Sequence, residues 1–180
     1  MKDDNLRIIL SKKLSKNEIF SYAKIVNPYN CDKILPLIAE NDKYLSGNSA
    51  YILLYTSKAT KIWLVGQAAF IMEVAQTTTD EKTKRLLMSI LVKLKLDAIN
   101  IDIKFLNYCL ENIVSTRQSS AIRSLCIKLS FKLSTAYTEL LTELKMILEN
   151  MESSTLKPSV ACARKNILKN INSILYQKTT

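Results

Sequence analysis

Three arginines carry the chemistry that this chain of 180 residues offers most openly. Arg85, Arg123 and Arg164 lie 38 and then 41 residues apart (123 − 85 and 164 − 123). Each sits in a similar string: TKRLLMSIL from Thr83, AIRSLCIKL from Ala121 and ACARKNIL from Ala161. A small or polar residue precedes a basic one, and apolar positions then step by three or four, the spacing of one helix face. A guanidinium presents a planar fork of donors that holds phosphate or carboxylate bidentately. The three arginines, with Lys84, Lys128 and Lys165, therefore form a candidate binding strip for an anionic partner. The competing account is structural and is preferred. An arginine between stacked helices pairs with a carboxylate or closes a neighbouring helix end, and Asp97, Asp102, Glu139 and Glu143 are candidate partners.

The charge balance agrees with either account. The formal net charge is +10. Between Thr79 and Thr135 ten basic residues face five acids, a local excess of +5. Such a balance admits nucleic acid, acidic protein or anionic membrane partners without choosing among them. The lysines are scattered, as on a solvated helical surface, and aromatic residues for base stacking are few in this stretch.

Several chemistries are excluded outright. There is no histidine, so neither a Ser-His-Asp nor a Cys-His arrangement can form. The two glycines, Gly47 and Gly66, cannot build a phosphate-binding loop. Cys31, Cys109, Cys126 and Cys162 show no C-x-x-C spacing, and a zinc site without histidine would need all four. Cys109, Cys126 and Cys162 read instead as small hydrophobes on apolar helix faces. An Asp97–Asp102 carboxylate pair reads as capping. No catalytic residue and no cofactor is expected. The opening MKDDNLRIIL lacks a signal-peptide layout, and the most apolar stretch, Ile62–Ala75, is too short to span a bilayer. The expectation is a soluble, reduced, cytoplasmic protein that is not an enzyme.

The elements that would position these side chains are helices. With two glycines and three prolines the chain is poor in hairpin signals. Helices are expected at Asp4–Lys12, and from Ser15, where Ser15-x-x-Glu18 reads as a capping box, to Asn27-Pro28. Asn30–Asn41 is expected to be helical despite Pro36. Ser46–Ser57 follows, and then one long helix over Lys58–Gln76, apolar nearly all round and so placed at the middle of the stack. Boxes at Thr78-x-x-Glu81 and Ser115-x-x-Gln118 are expected to open the next amphipathic helices, with a helix over Ile101–Val114 between them after a break at Leu96–Asn100. Thr135–Met151 and a last helix begun by Pro158 complete the series. The tail from Gln177 is expected to fray.

Two-helix units of about 40 residues fall in the range of HEAT and armadillo repeats, in which stacked hairpins bury one continuous core. The chain resembles a family of small bacterial HEAT/armadillo-like helical repeat proteins. The resemblance runs from about Ser15 to Ile174 and rests on NSAYILLY at Asn48, TKRLLMSIL, AIRSLCIKLS, YTELLTELKMILE at Tyr137 and ARKNILKNI at Ala163. The family's first such segment typically begins with arginine and carries a tryptophan, where this chain has Gly47, Asn48 and Tyr51. The resemblance implies an all-α, right-handed α-α superhelix with an N-terminal helical cap, one domain over 1–180. It specifies no activity, since fold alone supplies none. The expected role is a non-enzymatic module whose shallow concave face binds protein or peptide. Sequence-independent nucleic-acid binding through a basic face is the alternative, and the likeness to HEAT-like alkylpurine DNA glycosylases is one of architecture only.

Overall fold

The structure, a computed structural model, describes residues 3–40, 42–96 and 102–179. These hold ten α-helices and no strand. The chain divides into two compact units, Met1–Lys95 and Leu96–Thr180.

In the first unit α1 (Asp3–Leu10) leads to α2 (Lys16–Ile25). The expected capping box is present in full. The Ser15 hydroxyl accepts from the Glu18 amide at 3.3 Å, and the Glu18 carboxylate accepts from the Ser15 amide at 2.7 Å. The segment around Pro36 departs from expectation. It forms two short 3-10 helices, Cys31–Lys33 and Leu35–Ala39, with Pro36 in the first turn of the second. A proline tolerates that place because its missing N–H would have had no partner there.

The centre of this unit is α3 (Lys43–Leu54), opened by the Asp42 carboxylate, which accepts from the amides of Tyr44 and Leu45. Leu45 through Ala50 and Ile52 through Leu54 are all buried. The run Ser46-Gly47-Asn48-Ser49-Ala50 lacks bulk, which lets neighbouring helices come close. The Cβ that Gly47 lacks would lie 3.6 Å from Lys82 Nζ and from Thr83 Oγ1. The helix expected over Lys58–Gln76 is not the enclosed one and is not continuous. It is divided into α4 (Lys58–Val65) and α5 (Ala68–Thr77). At the break the amides of Gly66 and Gln67 turn back to Trp63 and Leu64, three residues before each, and glycine is itself a poor helix former. Ile62 is consequently 67% exposed, and Trp63 is half-buried rather than in the core. Helix α6 (Glu81–Lys93) packs on both α3 and α5 through the stripe Leu86, Leu87, Ile90 and Leu91. Each fully buried leucine or isoleucine contributes roughly 1.5–3 kcal/mol.

The second unit holds α7 (Ile103–Val114), α8 (Ser120–Ser134), α9 (Thr138–Glu149) and α10 (Pro158–Thr179). Pro158 is the first residue of α10, as expected, and the helix runs through Gln177 to Thr179 rather than ending. Helix α8 is central here, packed by α7, α9 and α10. Ile122, Cys126 and Leu129 on one stripe and Ile127 on a second are all 0% exposed. The remaining part of the expected break, residues 97–100, lies outside the described residues.

The capping boxes expected at Thr78 and Ser115 do not form. Asp80 opens α6 by accepting from the Thr83 amide at 2.7 Å, and Ser119 opens α8 by accepting from Ile122. Thr78 and Ser115 instead close the helices before them, α5 and α7.

Candidate cationic and aromatic groove

The cap positions fix where the arginines point. Arg123 is the fourth residue after its cap, Ser119, and its Nε donates to the Ile113 carbonyl at 2.8 Å. It thereby closes the C-terminal end of α7, where unmet carbonyls carry partial negative charge. Arg164 makes the same kind of tie to the end of α9. Its Nε donates to the Leu148 carbonyl, Nη1 to the Ser153 hydroxyl at 3.1 Å and Nη2 to the Glu149 carbonyl at 3.4 Å. The partners are backbone carbonyls and a hydroxyl, not the carboxylates expected; Asp97 lies outside the described residues.

Arg85 breaks the series. Its helix is capped by Asp80, so the fourth residue is Lys84 and Arg85 is the fifth. One residue rotates a helical side chain by about 100°. The core confirms this register: Thr83, Leu87, Met88, Ile90 and Leu91 match Ile122, Cys126, Ile127, Leu129 and Ser130, an offset of 39 rather than 38 (122 − 83 and 126 − 87). Lys84 therefore holds the place of Arg123 and is half-buried, and Arg85 is turned outward and exposed. Lys128 on α8 and Lys165 on α10 are also exposed. The structure thus does not present the three arginines as equivalent.

Arg85 borders a groove of about 400 Å³ between α3 and α6, lined by Tyr51, Leu54, Tyr55, Lys82, Leu86 and Ser89 as well. The lining contains two cations and no carboxylate. Tyr51 and Tyr55 meet edge to face with ring centroids 5.3 Å apart, and Tyr55 meets Phe20 of α2 in the same way at 4.8 Å. Cations cover this row of rings. Lys93 Nζ lies 5.1 Å from the Tyr55 ring centre, and Lys16 Nζ lies 5.4 Å from that of Phe20. The Tyr51 hydroxyl is held above its ordinary pKa by burial first and by its neighbour Tyr55 second, while the nearby Arg85 charge works the other way. An arginine, a lysine and two tyrosines here line one opening, residue types suited to an oxyanion.

The sequence contained Arg85, Tyr51 and Tyr55, yet not their meeting. The usable signal was the choice between Thr78 and Asp80 as cap, because that choice sets the rotation of α6.

Other candidates are placed as follows. Cys31, Cys109 and Cys126 are buried, and Cys162 is exposed, contrary to its expected place on an apolar face. Among the described residues no group of three or more histidine, cysteine or acidic side chains is gathered as for a metal ion, and no helix is long and apolar enough to cross a membrane.

Comparison with known proteins bears on the fold. The model of a family described as a HEAT repeat domain matches residues 6–171. A solved crystal structure of an engineered protein from a structural genomics consortium is similar in fold, with a TM-score of 0.66 at 16% sequence identity. The match covers 96% of this chain and 72% of that one. No curated protein sequence matches.

Proposed function

From the premise that the chain belongs to the HEAT repeat domain family, whose members are generally protein-interaction scaffolds, we propose that this protein is a non-enzymatic interaction module. It binds an acidic protein or peptide segment in the groove between α3 and α6. One observation carries the reading: Arg85 is released from the helix-end task that Arg123 and Arg164 perform, and it stands exposed beside Lys82 and Tyr51 in a groove lined by no carboxylate. The absence of histidine and of a glycine-rich loop from the sequence supports the non-enzymatic part.

A peptide fits better than nucleic acid. Base stacking needs open ring faces, whereas Lys93 covers Tyr55, and Tyr55 is further engaged by the edges or faces of Tyr51 and Phe20. The test is a fluorescence titration with a labelled oligoglutamate peptide and, separately, a labelled DNA duplex. Binding of the peptide that weakens at least tenfold in Arg85→Ala supports the reading. Duplex binding that is tighter than peptide binding and falls steeply with salt, as counterion release requires, would transfer the function to nucleic acid.

A further inference from the structure

A second groove opens at the other end of α6, and its chemistry is different. It encloses about 500 Å³ and is rimmed by Lys58 and Lys61 of α4 and by Lys93 and Lys95 at the end of α6. Its floor is aliphatic, formed by Ile62, Val65 and Leu94. Ile62 is 67% exposed there, an apolar side chain turned to water in a groove lined by four lysines. No ion pair engages any of the four lysines among the described residues. Lys61 has its pKa lowered, by burial first and by the charge of Lys93 second, so the Lys93 charge reaches Lys61.

The two grooves adjoin at Lys93, whose ammonium group covers the Tyr55 ring of the first and which also lines the second. Along α6, Lys82, Arg85, Ser89 and Lys93 recur at helical spacing and form one outward stripe. From Lys82 to Lys93 that stripe is about 16 Å long at 1.5 Å per residue.

We propose that the Lys58–Lys95 groove seats the apolar face of an acidic amphipathic helix from a partner protein. Charge complementarity selects the occupant. Four lysines in a lining that holds no acid among the described residues call for carboxylates, and an aliphatic floor calls for leucine-like side chains between them. A single-stranded nucleic acid would use aromatic platforms that this floor lacks. The site is concave, so it receives a ridge of side chains rather than lying flat on a lipid surface. The inference rests on the proposed function only in taking the partner to be a protein; its site and its apolar recognition are separate.

The test uses the full chain and three fluorescent probes. The first is an acidic helical peptide of about 15 residues, roughly 22 Å long, with leucines on one face. The second has those leucines replaced by alanine at equal charge. The third is a phosphatidylcholine vesicle containing phosphatidylserine. The first peptide is expected to bind at least tenfold more tightly than the second. Ile62→Glu, at an exposed position, and Lys61→Glu, at a half-buried one, are expected to remove that advantage while circular dichroism stays unchanged. Equal affinity for the two peptides overturns the inference, as does an Ile62→Glu variant that binds the leucine peptide unchanged. Vesicle binding stronger than peptide binding overturns it in favour of a membrane contact. Arg85→Ala separates the two ideas: if it weakens both peptides but the leucines make no difference, the first groove stands and this one fails.

Discussion

Arg123 donates through Nε to the carbonyl oxygen of Ile113 at 2.8 Å, so that the first turn of α8 closes the last turn of α7. Arg164 repeats the tie to Leu148, and Arg85 makes none among the described residues. A hydrogen bond from a charged donor is worth about 1.5–3 kcal/mol. Arg123→Ala and Arg164→Ala are therefore each expected to lower stability by about 1–3 kcal/mol in urea titration. Arg85→Ala should stay within about 0.5 kcal/mol, as an exposed substitution does. A loss at Arg85 equal to that at Arg123 would return it to the structural series.

Asn48 supplies the first unit with its main buried polar tie. Its side-chain amide donates to the carbonyls of Leu10 and Lys12, both at 2.8 Å, and it is only 3% exposed. Asn48→Ala leaves both carbonyls at the end of α1 unmet, which should cost about 1–3 kcal/mol. Asn48→Asp should cost at least as much, because a carboxylate cannot donate. Hydrogen exchange should show α1 losing protection before α3.

The thiols should differ sharply in reactivity. Cys162 is exposed, and Cys31, Cys109 and Cys126 are buried. Native protein treated with a thiol-specific chromophore is expected to release one equivalent quickly and the other three only on unfolding. Loss of the fast phase in Cys162→Ser completes the check.

Stability should fall in alkali. Burial, with the negative charge of Asp32 second, pushes the Cys31 thiol from 9.0 to about 12. Burial likewise raises the Tyr108 hydroxyl from 10.0 to about 12, with the charges of Cys126 and Cys109 adding to it. Between the unfolded and folded values the native state holds more protons than the unfolded state. The stabilisation is thus complete below about pH 9 and is lost as pH rises toward 12. The urea midpoint should decline from pH 8.5 to 10.5, and Cys31→Ala should flatten the lower part of that decline.

What the sequence disclosed depended on how far a signal was local. The stripe Leu86, Leu87, Ile90, Leu91 and the Ser15–Glu18 box needed only their own helices, and both are present as read. The helix starts near Thr78 and Ser115 were obscured because each lies between two helices and serves the earlier one. A capping residue two or four positions further on then opens the next. That small shift moved Arg85 to another face and concealed the groove. The central place of α3 was obscured for a different reason. Its burial comes from small residues that admit neighbours closely, and Ser46, Asn48 and Ser49 look polar until their partners or enclosure are known. In the opposite sense, the apolar run after Lys58 suggested enclosure, yet α4 buries Thr60 and Leu64 and turns Ile62 to water, and the run breaks at Gly66.

The cluster of Lys58, Lys61, Lys93 and Lys95 has a consequence for the protein standing alone. Among the described residues no acid pairs with these lysines, and like charges held near one another store repulsion in the folded chain that is relieved when the chain unfolds. Dissolved salt screens it over about 10 Å at 0.1 M. An anion bound there, as proposed above, would neutralise part of that repulsion. An acid that binds only the folded chain would also raise its stability by RT ln(1 + L/Kd), with L its free concentration, an effect that grows with the logarithm of that concentration above Kd.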